Sequence, residues 1–228
     1  MSESAPVRKV RSFVRREGRM TPAQRRALER CWPRYGVAVQ DSPLNLDDLF
    51  GRQAPRMLEI GCGMGESLLA MAAAHPENDY LAIEVYRPGI GTLMRRLAEA
   101  GLDNVRIVNE DAVFVLERML PVEAFAAIYL FFPDPWPKKR HHKRRIVQPP
   151  FIELVRSRLK PGGMLHMATD WQDYAQHMLA VMKQVESFRN IAGAGCCAER
   201  PPWRPLTKYE QRGRRLGHQV CDLIFERV

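Results

Sequence analysis

The stretch Glu59-Ile60-Gly61-Cys62-Gly63-Met64-Gly65 follows a short apolar strand, predicted over 56–60, and opens a helix predicted over 66–74. Its alternating glycines let the backbone turn tightly and let a ligand approach it closely. A dinucleotide fingerprint would place its third glycine at position 66, where this chain has a glutamate. Because a carboxylate at a helix start repels phosphate, the loop favours a ligand without phosphates.

Three acidic residues lie where such a ligand would bind. S-adenosylmethionine is a cationic nucleoside derivative without phosphates, and we expect Glu59, together with Gly61 and Gly63, near its positive end. Glu84 lies 21 residues beyond Gly63, at the end of the second predicted strand, and is placed to accept both ribose hydroxyls. Asp111 follows the third strand and is placed for the adenine amino group. An isolated acid in such a position more often caps a helix, but three acids behind a glycine loop favour a cofactor site.

Short strands and helices alternate along the chain from position 56. Strands are predicted over 56–60, 80–83, 105–108, 126–131, 165–168 and 219–225, and helices over 66–74, 88–100, 112–120, 150–159 and 173–185. This alternation predicts an α/β fold, a three-layer Rossmann-like sandwich with a mostly parallel sheet. Ligands bind at the carboxyl ends of parallel strands, so we expect the glycine loop, Glu84, Asp111, Asp134 and Asp170 along one rim.

The length of 228 residues and the 46% hydrophobic content suit one full-sized core. We expect a basic N-terminal extension with one short helix over residues 1–40 and one domain over residues 41–228. Residues 1 to about 20 are expected to form a flexible arm. Thr21-Pro22 predicts a helix start, and Trp32-Pro33 predicts its end.

Charge and cysteine usage narrow the class of protein. The net charge is +9 and the pI about 9.6, which favours a nucleic-acid partner. The five cysteines are scattered and odd in number, so we expect reduced thiols in a cytoplasmic protein and no zinc site. No apolar run approaches the ~18 residues needed to cross a membrane.

A second stretch combines an acid and an aromatic ring, held between prolines, with a run of basic residues. Phe132-Pro133-Asp134-Pro135-Trp136-Pro137 runs into Lys138-Lys139-Arg140-His141-His142-Lys143-Arg144-Arg145, in which six of eight residues are Lys or Arg. The prolines fix φ at about −65° and remove three backbone donors, so they hold Asp134 in one place. A fixed acid and an aromatic ring beside a row of cations favour chemistry on a nucleic acid. The alternative is a proline-stiffened turn followed by a solvated basic loop.

Together these motifs resemble the bacterial tRNA (guanine-N7)-methyltransferases, the class I S-adenosylmethionine enzymes that modify guanine 46 in the tRNA variable loop. The glycine loop is shared by methyltransferases in general, whereas the run over 133–145 is specific to this family. The resemblance covers nearly the whole chain, and it rests on the segments 11–16, 18–21, 58–65, 133–145, 169–171 and 207–210.

The resemblance implies a class I methyltransferase domain over residues 41–228, with S-adenosylhomocysteine as product and no metal. It implies that Asp134 is catalytic and, with Glu59, Glu84 and Asp111, contacts the methyl donor. Substrate contacts are implied for Lys138, Asp170, Thr207, Lys208, Tyr209 and Glu210. RNA contacts are implied for Arg140, His141, His142, Lys143, Arg144 and Arg145. We expect a cytoplasmic monomer or homodimer that binds tRNA, without a membrane or an obligatory protein partner.

Chemical alternatives remain at two of these segments. Asp170 and Glu210 are suitable acceptors for the N1 and N2 hydrogens of guanine, but the segment 207–210 also suits a surface hairpin before the last strand. The residues Pro133 to Trp136 could instead form a turn that accepts hydrogen bonds from an exocyclic amino group of the substrate. Two other functions are therefore a class I methyltransferase for another RNA or nucleobase amine, and a non-catalytic RNA-binding module with a vestigial donor pocket.

Overall fold

The computed structural model describes residues 12–13, 19–215, 217 and 219–228, except for the side chains at 208, 209, 212 and 214. Most of the predicted flexible arm therefore lies outside the described residues. No helix among the described residues is long and apolar enough to span a membrane.

One mixed sheet organises the described chain. Its strands are β1 (Gly36–Val37), β2 (Arg56–Ile60), β3 (Asp79–Ile83), β4 (Val105–Val108), β5 (Phe125–Phe131), β6 (Leu159–Thr169), β7 (Phe188–Asn190) and β8 (Cys221–Arg227). The helices are α1 (Pro22–Tyr35), α2 (Leu46–Phe50), α3 (Glu66–Ala74), α4 (Arg87–Ala100), α5 (Ala112–Phe114), α6 (Pro149–Arg158), α7 (Gln172–Met182) and α8 (Lys208–Arg215).

The strand order is β1-β4-β3-β2-β5-β6-β8-β7. All pairs from β1 to β6 are parallel, and β8 is antiparallel to β6 and β7. The chain moves outward from β2 through β3 to β4 and then places β5 on the other side of β2. Because the order reverses there, the carboxyl ends of β2 and β5 flank a crevice of the kind that binds ligands in α/β sheets.

Helices cover both faces of the sheet and confirm the predicted three layers. Side chains of α1, α3 and α4, among them Leu28, Leu68 and Leu93, form one hydrophobic layer. Side chains of α2, α6 and α7 form the other, including Ile152 and Met178. Every residue of β3 is buried, as expected for a strand covered on both faces.

Helix α1 begins as predicted and ends later. Thr21 caps it through a reciprocal box in which its hydroxyl accepts from the Gln24 amide and the Gln24 side chain accepts from the Thr21 amide. The predicted end at Trp32-Pro33 is wrong, because the helix continues to Tyr35. Pro33 removes one backbone donor, but the fully buried Tyr35 holds the last turn against the core.

Residues 22–37 pack onto the sheet. The Gln24 side chain donates to the Thr92 hydroxyl of α4 at 3.1 Å, and β1 pairs with β4. Part of the predicted N-terminal extension thus contributes to the sheet and its helical cover, while the division at residue 40 stays a prediction.

Two elements differ in detail from the predicted pattern. The helix predicted over 112–120 is the short α5 followed by a π-helical turn, Val115–Met119, in which the Leu120 amide bonds to the Val115 carbonyl. Strand β6 starts six residues before the predicted 165–168 strand, at Leu159. It pairs with β5 at Phe125 and again from Ala127, with a register shift between them.

The expectation of five reduced thiols is wrong in this structure. Cys197 and Cys221 form a disulfide with their Cα atoms 5.3 Å apart, while Cys31, Cys62 and Cys196 are free. The two bonded residues are 24 positions apart, and sequence spacing does not reveal that the fold brings them within bonding geometry. The bond ties the segment that precedes α8 to the first residue of β8.

Candidate active site

The glycine loop leaves β2 in a left-handed conformation. Gly61, Gly63 and Gly65 have φ values of 75°, 56° and 71°, a region that favours glycine. A Cβ at position 65 would lie 2.3 Å from Leu93 Cδ1, so only glycine lets α4 pack this closely on the loop. A Cβ at Gly61 or Gly63 would meet nothing within 4 Å, and Gly61 lines the cavity, so the backbone there is open to a ligand.

Glu84 fixes this loop against the end of β3. Its carboxylate accepts the backbone amides of Gly63 at 2.6 Å, Val85 at 2.7 Å and Tyr86 at 2.8 Å, and the residue is buried. An ionised carboxylate offers about four lone-pair sites. With three sites filled by amides, the Glu84 carboxylate can accept one more hydrogen bond. It could therefore bind one of the two predicted ribose hydroxyls while keeping all three amides.

Glu59, at the carboxyl end of β2, is a buried carboxyl with an open acceptor. It is 3% exposed, and its Oε2 has no hydrogen-bond partner among the described residues. Burial, with a smaller contribution from Glu84, raises its pKa to about 8. An unpartnered buried carboxyl beside the glycine loop fits the cationic end of S-adenosylmethionine.

Asp111 caps a helix in this structure. Its Oδ1 accepts the amides of Val113 and Phe114 at 2.9 and 3.2 Å, and its Oδ2 has no partner among the described residues. The predicted adenine contact would thus use Oδ2. Sequence reasoning missed the neighbouring Asn109, whose side chain donates to the Glu84 carbonyl at 2.8 Å and joins the ends of β3 and β4. Its position after a predicted strand was the available signal.

A cavity opens at the crevice between β2 and β5. The ends of these strands and of β3 line it, and Ser12 and Phe13 of the N-terminal segment lie against it. The Trp136 indole donates to the Ser12 carbonyl at 3.1 Å, and Arg144 donates to the Phe13 carbonyl at 3.1 Å. The described part of the N-terminal segment thus joins the predicted donor pocket to the basic run over 138–145.

The turn that carries Asp134 starts in an unusual backbone conformation. Phe132 and Trp136 have φ values of 52° and 45°, which bulky residues seldom adopt. The Phe132 amide donates to the Ala168 carbonyl at 2.8 Å, and Arg145 Nε donates to the Pro135 carbonyl at 2.9 Å. Asp134 is exposed on this fixed turn, at the carboxyl end of β5.

The basic run divides into exposed and structural cations. Residues 139–144 form a 3₁₀ helix, and four cations of the run are exposed: Lys138, Lys139, Arg140 and Lys143. Arg144 lies over the Trp136 ring, 4.0 Å from its centroid. Arg145 is 2% exposed, pairs with Asp173 and lies over the Tyr174 ring. Arg145 therefore supports the turn from inside and has no accessible donor for RNA in this structure.

His141 and His142 are half-buried within the run. The His141 ring meets the Trp136 ring edge-on at 5.9 Å, and burial with the surrounding cations lowers the pKa of His141. Among the described residues no cluster of His, Cys, Asp and Glu is arranged to hold a metal ion.

Two of the predicted substrate residues near the C-terminus, Thr207 and Glu210, are buried. Thr207 and Glu210 have capping-box spacing at the start of α8, and the Thr207 hydroxyl accepts the Glu210 amide at 3.2 Å. Glu210 is 0% exposed, and its carboxylate accepts from Arg204 at 2.5 Å. A guanine cannot reach Glu210 in this arrangement, so its predicted contact requires movement of this segment. Asp170 lies half-buried at the rim after β6, and the side chains of Lys208 and Tyr209 lie outside the described part.

Comparison with solved structures agrees with the fold. The 16S rRNA methyltransferase KamB superimposes with a TM-score of 0.56 at 15% identity, covering 85% of this chain and 97% of that one. The aminoglycoside resistance methyltransferase NpmB1 gives a TM-score of 0.53 at 16% identity, covering 80% and 92%. These similarities concern the architecture alone.

Sequence comparison identifies the family. A family described as putative methyltransferase matches residues 53–223. The tRNA (guanine-N(7)-)-methyltransferase of Hydrogenovibrio crunogenus is 56% identical over 221 residues, which cover 97% of this chain and 92% of that protein. The protein of the same name from Klebsiella pneumoniae subsp. pneumoniae is 56% identical over 223 residues, covering 98% and 93%. The chain belongs to the tRNA (guanine-N(7)-)-methyltransferase family.

Proposed function

We propose that this chain transfers the methyl group of S-adenosylmethionine to N7 of guanine 46 in the variable loop of tRNA. The observation that carries the proposal is the exposed Asp134 on a turn whose neighbouring Pro133 lines the donor-type pocket and which runs into a row of exposed cations. Relatives that are 56% identical over nearly the whole chain are named tRNA (guanine-N(7)-)-methyltransferase.

The donor would be held by residues at the ends of β2, β3 and β4. Glu59 would bind its amino acid end, Gly61 and Gly63 would lie against it, Glu84 would bind the ribose, and Asp111 would bind the adenine. When bound, S-adenosylmethionine supplies an electrophilic methyl group and leaves as S-adenosylhomocysteine.

The nucleophile needs alignment more than activation. N7 of guanine carries a lone pair and no proton, so no general base is required. The chain must hold the purine in line with the methyl group, and such orientation lowers the barrier by several kcal/mol. Positive charge develops on the purine, and the fixed Asp134 carboxylate stabilises it where it forms.

The exposed cations beside the turn would bind tRNA phosphates. Lys138, Arg140 and Lys143 are free to do so, while Arg144 would contribute together with the Trp136 ring on which it lies. Asp170 would accept hydrogens from the guanine edge. We propose a cytoplasmic enzyme that acts as a monomer or homodimer.

The function is tested by methyl transfer from labelled S-adenosylmethionine to an unmodified tRNA transcript, followed by digestion to nucleosides. The expected product is 7-methylguanosine, and it should vanish with a transcript in which the variable-loop guanine is replaced by adenine. Label in another nucleoside would keep the methyltransferase and overturn the substrate. Donor binding without transfer to any tRNA would leave an RNA-binding module.

Replacement of the turn carboxylate should slow transfer without loss of the donor. We expect Asp134→Asn to reduce kcat about 100-fold, because the amide keeps the shape and loses the stabilising charge. Calorimetry should show a donor Kd within about twofold of the wild type. Asp48→Asn makes the same change at an exposed position on α2, away from the rim, and should leave kcat unchanged. A wild-type kcat for Asp134→Asn would remove this residue from catalysis.

Donor binding should release a proton. With a pKa of about 8, Glu59 is mostly protonated in the free protein at pH 7. A cationic donor favours the ionised carboxylate, so affinity should rise between pH 6 and pH 7 as ionisation becomes easier. Calorimetry at pH 7 in two buffers with different ionisation enthalpies should show release of about one proton per donor. Glu59→Gln should bind the donor more weakly and release none; equal binding enthalpies for the wild type in both buffers would contradict the assignment.

Loss of an exposed cation should make tRNA binding less sensitive to salt. We expect Lys138→Ala and Arg140→Ala each to lower the slope of log K against log salt concentration by roughly one unit, since each removes a phosphate contact. Lys160→Ala is the matched control, because Lys160 is exposed near the amino end of β6, at the opposite edge of the sheet. Titrations between about 50 and 200 mM salt measure the slopes. Equal slopes in all four proteins would refute phosphate binding by the run.

A further inference from the structure

Arg204 is fully buried and joins two parts of the chain. Its Nε and one terminal nitrogen donate to both carboxylate oxygens of Asp222 in β8, at 2.5 and 2.8 Å. Its other terminal nitrogen donates to Glu210 in α8 at 2.5 Å. All three side chains are essentially inaccessible to solvent. The network therefore fixes the start of α8 relative to the sheet.

The network extends from Asp222 to His166 in β6. The His166 ring lies 2.7 Å from Asp222 through Nε2. Burial lowers the pKa of His166, so the ring is neutral at pH 7 and donates its Nε2 hydrogen. Burial alone would raise the pKa of Asp222, but hydrogen bonds from His166 and Arg204 hold it below its ordinary value. Asp222 thus stays ionised opposite a charged Arg204.

Arg204 also contacts the catalytic turn. Its guanidinium carbon lies 5.7 Å from the centroid of the Phe132 ring. Phe132 holds a left-handed φ of 52°, and its amide bonds to Ala168, the residue that pairs with Asp222 in the sheet. A bulky residue keeps such a conformation only where its surroundings determine it. The Arg204 guanidinium is part of these surroundings. Phe132, which it supports, lies two residues before Asp134.

We propose that Arg204 is a positioning residue for methyl transfer: held by Asp222 and Glu210, it keeps the Phe132 end of the turn in place and thereby sets the position of Asp134. This inference rests on the proposed function for its effect on turnover. A displacement of about 1 Å in a reacting group can cost about 100-fold in rate. The role requires arginine, because its planar fork makes three directed bonds that the single ammonium of lysine cannot reproduce.

The test uses Arg204→Lys, which keeps a positive charge between the two buried carboxylates and so avoids leaving them unpaired. Two measurements are made on it. Hydrogen exchange followed by mass spectrometry reports the Phe132 and Trp136 amides without any substrate. Steady-state kinetics with tRNA separate kcat from KM, and calorimetry gives the donor Kd.

We expect Arg204→Lys to speed exchange at Phe132 at least about tenfold and to lower kcat at least about tenfold, with the donor Kd within about twofold of the wild type. The matched control is Arg158→Lys, since Arg158 is a buried arginine that donates to the Leu116 carbonyl away from the rim. Even where Arg158→Lys loses as much thermal stability as Arg204→Lys, it should change neither kcat nor exchange at Phe132.

Three results would overturn the inference. They are unchanged exchange at Phe132, an unchanged kcat despite faster exchange, or an equal fall of kcat in the control. If Arg204→Lys fails to fold, Phe132→Leu removes the contacted ring and keeps every buried charge; a wild-type kcat for it would likewise overturn the role. A wild-type protein that makes no 7-methylguanosine would refute the proposed function instead, and the positioning role with it.

Discussion

Parallel pairing of β2 with β5 is the constraint on which the site depends. The register sets Glu59 of β2 opposite Tyr129 of β5, so both strands deliver their following loops to the same edge of the sheet. The loop after β2 carries the glycines, and the turn after β5 carries Asp134. Because strand order reverses between these two strands, neither loop is covered by a neighbouring connection. Residues far apart in sequence therefore share one crevice.

Carboxylates around this crevice fall into different classes because their surroundings differ. Glu84 accepts three backbone amides and holds the glycine loop, while Asp111 caps α5. Glu59 is buried with an open acceptor, and burial keeps it largely protonated at neutral pH. Asp134 is exposed on a fixed turn. Environment thus separates Glu84 and Asp111, which already accept backbone amides, from the buried Glu59 with its open acceptor and the exposed Asp134.

Local patterns predicted most of the fold and the position of the glycine loop, Glu84 and Asp111 at the carboxyl ends of their strands. The bounds of β2, α3 and β4 follow from apolar strands, glycine spacing and helix signals that act within a few residues. Contacts between distant segments were not predictable, because no local pattern reports them. The Cys197–Cys221 disulfide, the burial of Arg145 and the bond between Arg204 and Asp222 belong to this class. Family resemblance supplied Glu210 as a substrate residue, and only the structure shows that Arg204 already binds it.

The buried charges at Arg204 need an explanation other than stability. Removing three charged groups from water is costly, and apolar residues of similar size often fill such a site with equal or greater stability. A guanidinium held at three bonded positions, however, has one orientation, whereas apolar packing tolerates small shifts. Phe132 lies against that guanidinium in a conformation that needs firm support. Charge burial here is better explained as a means of fixing geometry at the start of the turn, because in the proposed mechanism a displaced turn would move Asp134 away from the purine.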